Sequence, residues 1–173
     1  AAHAITAVSA SKGWNLAGLK CAQLVFGNDD DLVRWRRMAL LAGHGVSALG
    51  MVAAIAAWRE GGPWLEHVLD YLRGNRALVA AWMAGRMPDA GFVAPEGTYL
   101  AWIDCRGLPL PEDTAPAAFF RRQARVALTD GRECGEASRG FVRLNFAMPR
   151  PVLREALARM GEAVDGLAGP GKG

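Results

Sequence analysis

Cysteine is scarce: the 173 residues hold three, Cys21, Cys105 and Cys134, with no CxxC pair among them. An odd, unpaired set of thiols excludes a disulfide framework and fits a reducing, cytoplasmic setting. Histidine is equally rare. His3, His44 and His67 stand at no metal-ligand spacing from one another or from a cysteine, which excludes a structural zinc site. Charge of one sign is lacking too. Twenty Lys+Arg against 17 Asp+Glu leave a net charge of +3, and the pI of about 9.0 reflects only that surplus. This is too little for a nucleic-acid surface. The densest basic cluster, Arg34, Arg36 and Arg37, is interrupted by Trp35 and reads as a solvated helix face.

The opening residues, Ala1 to Val8, have no basic n-region, no h-region of signal-peptide length and no initiator Met, and read as a chain cut from something longer. One stretch, Met38 to Trp58, runs 21 residues without a formal charge, which is long enough to span a bilayer. It contains Gly43, His44, Gly45, Ser47 and Gly50, and many of its apolar residues are alanine. The expectation is a buried helix entered near Ser47 and stopped at Gly61-Gly62-Pro63, with no membrane partner.

Hydrophobic residues at 51% and charged residues at 21% describe a globular chain of one domain or two small lobes. Ala4 to Val8 is a short apolar run without alternation, as in a strand covered on both faces. A polar turn, Ser9 to Asn15, follows, and then apolar residues to Phe26. Asp29-Asp30-Asp31 supplies first-turn acids for a helix to about Ala42. Pro63 opens a long helix to about Met87. Strands are expected at 92–94, 99–103 and 126–128, a helix at 117–125, and the clearest period-2 strand at 140–146. A last amphipathic helix runs from Pro149 to about Leu167, with a frayed tail after it. The fold class is α/β, with an open sheet remnant first and an α+β lobe after about residue 63.

Two places invite chemistry. Lys12 lies just past the carboxyl end of the first strand, where open α/β sheets place their ligands. The apolar run before it and the turn after it would partly desolvate its amine, as Schiff-base chemistry requires. Ser9 and Ser11 share parity on an extended segment, so both hydroxyls could face one anion, and Lys20 falls near the same face if the intervening segment is helical. A surface lysine in a polar turn satisfies the same spacing. Arg143 shares a strand face with Phe141 and Asn145, opposite Val142, Leu144 and Phe146. It is placed either to grip a carboxylate in bidentate fashion or to form a salt bridge with Glu133 or Glu136.

The segment Ser9-Ala-Ser-Lys-Gly-Trp-Asn-Leu-Ala-Gly18 resembles the lysine motif of fold-type I pyridoxal-phosphate enzymes. More narrowly, it is similar to the cystathionine β-lyase / MalY–PatB branch of the class I/II aminotransferases. Gly97-Thr-Tyr-Leu-Ala-Trp-Ile-Asp-Cys105 resembles that branch's small-domain strand, and Gly140-Phe-Val-Arg-Leu-Asn-Phe-Ala-Met-Pro149 its carboxylate-binding strand. Ala53 to Leu65 matches the branch in style. The resemblance implies the end of an aspartate aminotransferase-like large domain at 1–62, followed by the small domain at 63–173.

It also implies roles. Lys12 would join covalently to pyridoxal 5'-phosphate and act as base at the substrate Cα. Ser9 and Ser11 would bind the cofactor phosphate, with Lys20 a point charge beside it. Arg143 would hold the substrate α-carboxylate. The implied activity is cleavage of cysteine-type amino acids to thiol, pyruvate and ammonia; an aminotransferase of the same fold and a truncated non-catalytic homologue are the alternatives. Relatives of this kind are homodimers about twice as long, and only eleven residues precede Lys12. The ring-pairing acid, stacking aromatic and Gly-rich turn of a first half have no counterpart here, so the 173 residues alone are expected to be inefficient. The family's aromatic-Gly pair between Asp130 and Arg139 is also replaced, by Gly131-Arg-Glu-Cys-Gly-Glu-Ala-Ser138.

Overall fold

The computed structural model describes residues 3–168. The tail expected to fray lies mostly outside them. The chain divides into two compact units, Ala1–Leu69 and Asp70–Gly173.

In the first unit, β1 (Ile5–Val8) and β2 (Gln23–Phe26) pair antiparallel, with Ile5 opposite Phe26 and Val8 opposite Gln23. Asn28 opens α1 (Asp29–Ala42): its Oδ1 accepts the Asp31 N–H at 2.8 Å. Asp29, Asp30 and Asp31 then fill the first turn, where the helix dipole favours acids. Ser47 caps α2 (Ala48–Glu60), its hydroxyl accepting the Gly50 N–H at 3.1 Å. Met38 to Trp58 is therefore two helices with a break between them. Among the described residues no helix is long and apolar enough to cross a membrane.

Two expectations fail in this unit. β1 is not covered on both faces: Ile5 is 52% exposed, and Thr6 and Ala7 are exposed as well, because this sheet has only two strands. Nor is α2 a buried helix. Only Gly50, Ala54 and Ala57 are buried, whereas Leu49 is 73% and Val52 66% exposed. At Gly50 the stripe meets the Leu19 backbone, where a Cβ would lie 2.2 Å from the Leu19 carbonyl oxygen, and Ala54 and Ala57 pack with Ala10. Beside the stripe, Trp14 packs edge-on against Trp58 at 4.6 Å between ring centroids, and its Nε1–H donates to the Gly61 carbonyl at 2.9 Å.

The long helix α3 (Gly62–Arg86) crosses the division between units. In the second unit, β3 (Gly91–Phe92), β4 (Leu100–Asp104), β5 (Thr129–Asp130) and β6 (Phe141–Asn145) form an antiparallel sheet in the order β3-β4-β6-β5. Period-2 alternation buries Ala101 and Ile103 of β4 and Val142 and Leu144 of β6. They form one core with Val79 and Met83 of α3, Phe119 and Phe120 of α4 (Pro116–Gln123), and Leu153, Leu157 and Met160 of α5 (Arg150–Asp165).

Asn75 is the buried polar residue of this core. Its Nδ2 donates to the Phe146 and Met148 carbonyls at 2.9 and 3.0 Å, and its Oδ1 accepts from Arg150 Nε at 3.0 Å. The guanidinium of Arg150 lies over the Tyr71 ring, 4.6 Å from its centroid. The strand expected at 126–128 begins later, at Thr129. Arg125 takes a left-handed φ of 55°, and the Val126 N–H bonds back to Phe120 O at 3.3 Å, so the chain wraps the end of α4 and buries Val126 before it joins the sheet.

Candidate functional site

Ala10 is 2% exposed, packed with Ala54 and Ala57, and this anchors the turn after β1. Ser9 and Ser11, on either side of Ala10 in sequence, bring their hydroxyls together at 2.5 Å. The turn is closed by the Trp14 N–H to Ala10 O at 3.1 Å and the Leu16 N–H to Ser11 O at 3.0 Å. Lys12 sits at its tip. Its amine makes no hydrogen bond or ion pair with the described residues.

The expected shielding of that amine is not met: Lys12 is exposed, since the strand leading to it is itself uncovered. The helical path to Lys20 is not continuous either. A turn and a single 3₁₀ turn, Ala17–Leu19, lie between, and Lys20 stands at φ 48°, with no hydrogen bond to the serines or to Lys12.

Arg143 belongs to the second unit, on β6, in register with Trp102 of β4 on one side and Thr129 of β5 on the other. Its Nη2 donates to Thr129 Oγ1 at 3.2 Å, and its Nη1 lies 3.9 Å from Cys134 Sγ. No carboxylate among the described residues pairs with it. The two acids of the loop that do form ion pairs are taken locally: Asp130 by Arg132, at 3.0 Å, and Glu136 by Arg139. Of the two arrangements open on spacing, the salt bridge to Glu133 or Glu136 does not form. On the same sheet face Trp102 stacks on Phe141 at 5.7 Å, and Arg106 lies 4.8 Å from the Phe141 ring centroid.

Hydrogen bonding by Arg106 lowers the Asp104 carboxyl below the ordinary 3.8, and Arg132 does the same for Asp130. Burial pushes the Cys105 thiol up to about 12. No group of three or more His, Cys, Asp or Glu able to hold a metal ion occurs among the described residues. Thr129, Cys134 and Asn75 were not anticipated. For Asn75 a signal existed, since it falls at four-residue spacing with Val79 and Met83, on the helix face that enters the core.

The chain is thus a mixed helix-and-sheet protein carrying a lysine in a serine turn and an arginine on a strand, neither ion-paired among the described residues. It belongs to the class I and II aminotransferase family, whose model matches residues 1–160. A Mycobacterium leprae protein assigned as a cystathionine beta-lyase is 41% identical over 95% of this chain and 43% of its own length. The cystathionine beta-lyase of Corynebacterium glutamicum is 37% identical over 92% of this chain and 42% of its own. The crystal structure of the pyridoxal-phosphate-bound C-S lyase of Staphylococcus hominis superposes with a TM-score of 0.83 at 32% identity, covering 92% of this chain and 42% of that one. The fold is that of the pyridoxal-phosphate-dependent aminotransferases, and the chain spans about two fifths of the length of the relatives it matches.

Proposed function

We propose that this chain is part of a pyridoxal-phosphate-dependent C–S β-lyase that releases thiol, pyruvate and ammonia from cysteine-type amino acids. The observation that carries the reading is the turn after β1, where two hydroxyls meet at 2.5 Å in the turn that carries Lys12. The residues fit the cofactor by their donor chemistry: a phosphate would replace the single Ser9–Ser11 bond with two O–H donors, and a free amine is the group that joins an aldehyde. Lys20 would add a point charge near the phosphate.

When bound, pyridoxal phosphate supplies an electron sink for the charge that develops at the substrate Cα. Lys12 Nζ would take the proton from that carbon, and Arg143 would hold the α-carboxylate through its guanidinium, which no acid among the described residues pairs with. The reading assigns 1–62 to the end of a cofactor domain and 63–173 to a small domain. It also places the protein in the cytoplasm as a homodimer, which the exposed Leu49, Val52, Ile55 and Trp58 of α2 support as a face wanting a cover. The description of the family model favours a second reading, an aminotransferase with the same two residues.

Borohydride reduction of the purified chain with pyridoxal phosphate, followed by peptide mapping, tests the assignment. Stoichiometric label on Lys12 alone, lost in Lys12→Ala, is expected, and diffuse label over many lysines would refute it. In the whole protein, pyruvate release without a keto-acid acceptor separates lyase from aminotransferase. The 173 residues alone are expected to turn over poorly, which is why the label and not turnover is the first readout.

A further inference from the structure

A guanidinium that is to receive a carboxylate must keep its charge and still be held in one orientation. An acid partner would fix it and neutralise it together, whereas a neutral acceptor fixes it alone. Arg143 has neutral partners. Thr129 stands directly across the strand pair, and its hydroxyl accepts from Nη2 at 3.2 Å. Cys134 Sγ, at 3.9 Å from Nη1, is a longer and softer contact on the same side. Asp130 and Glu136, which flank these residues in sequence, are engaged by Arg132 and Arg139.

We propose that Thr129 is a positioning residue for Arg143: its hydroxyl fixes the plane of the guanidinium without consuming its charge, and so orients the remaining N–H groups toward a ligand carboxylate. The proposal rests on the reading of Arg143 as the carboxylate grip, and its first test does not depend on that reading. Thr129 is half-buried in a two-residue edge strand, so the cost of changing it falls on this contact more than on the core.

The test uses the full chain and ¹⁵N NMR of the arginine side chains, with Arg143→Lys assigning the signal. In the unsubstituted chain, rotation about the Arg143 Nε–Cζ bond should be slowed relative to that of exposed arginines such as Arg121. Thr129→Val should remove the slowing, and Thr129→Ser should restore it. An Arg143 that already rotates as freely as Arg121, or a Thr129→Val chain that keeps the restricted signal, overturns the proposal. The first of these measurements needs no Thr129 variant to fold.

The second arm titrates sodium acetate against sodium chloride at equal ionic strength. Acetate should shift the Arg143 signal, and Thr129→Val should weaken that binding about fivefold, with Thr129→Ser near the original. A slowed Arg143 signal released by Thr129→Val, but with no response to acetate, would leave the positioning intact and refute the carboxylate reading. Acetate binding unchanged in Thr129→Val would refute the positioning and leave that reading standing.

Discussion

Replacing Asn75 with leucine, of nearly the same volume, should destabilise the second unit by about 3 kcal/mol. Asn75 is fully buried and satisfies three groups at once: the Phe146 carbonyl, the Met148 carbonyl and the Nε–H of Arg150. Phe146 O belongs to a wholly buried hydrogen bond, so losing its donor exposes it to the full desolvation penalty, roughly 1–3 kcal/mol. The bond to Met148 is part-buried and that of Arg150 is charge-assisted, so each adds a smaller loss as water partly replaces it. Urea unfolding followed by circular dichroism measures the effect. With a slope of about 2 kcal/mol per M, the midpoint should fall by about 1.5 M. Asn75→Asp should lose at least as much at neutral pH, because a carboxylate would face the Phe146 and Met148 carbonyls without a donor to offer them. A midpoint shift under about 0.5 M for Asn75→Leu would refute the reasoning, since it would mean the two carbonyls find other donors.

Other outcomes follow from single contacts. Ser47→Ala removes the cap of α2 and should cost about 1 kcal/mol in the same urea experiment, with Ser47→Asp close to the original. Gly50→Ala should cost more than a cap despite the better helix propensity of alanine, because its Cβ would meet the backbone oxygen of Leu19; melting of the two variants side by side decides. Folding lowers both Asp104 and Asp130 below the ordinary 3.8, so the stability they lend is full above that value and is lost as pH falls through it toward the folded values. The double variant Asp104→Asn, Asp130→Asn should therefore flatten the acid limb of a stability-versus-pH curve, and an unchanged limb would count against these pairs. Thiol alkylation at about pH 8 should modify exposed Cys134 first and half-buried Cys21 next. Cys105, buried and raised to about 12, should stay unmodified until the chain unfolds, as mass spectrometry of timed samples would show.

Where residue pattern and packing agree, the sequence is a sufficient guide. Val142, Leu144 and Phe146 alternate with Arg143 and Asn145, and the structure buries the first set and leaves the second accessible, because one face of the small sheet has helices to pack on. Caps are legible for the same reason: Ser47 and Asn28 each act on the N–H group three residues ahead, a contact made within the local chain. What sequence could not supply was the presence or absence of a covering layer. Ile5 and the large apolar residues of α2 have the composition of a core, yet they are exposed in this chain, since composition states only that a residue would gain from burial. Asn75 is the converse. An amide at mid-helix looks like a surface residue until the carbonyls it must satisfy are found some seventy positions along the chain.

The state of Arg143 shows how competition settles what spacing leaves open. Asp130 has Arg132 two positions on, and Glu136 has Arg139 three positions on; each acid is joined to its neighbour by contacts that close a very short loop. Asp130 also accepts the Arg132 backbone N–H at 3.0 Å, a bond that comes with the turn itself. For Arg143 to take either acid, a longer stretch of chain would have to be ordered and an existing pair broken, with little Coulomb gain at an exposed surface. The local pairs therefore hold Asp130 and Glu136, and the strand arginine bonds to Thr129. The rule carries predictive content: an acid in the adjoining loop is lost to a strand arginine when a base of its own follows within three residues. Both such pairs, Asp130 with Arg132 and Glu136 with Arg139, are legible as bare spacings in the chain. Glu136 could therefore have been struck from the partners that strand periodicity leaves open for Arg143 on those positions alone.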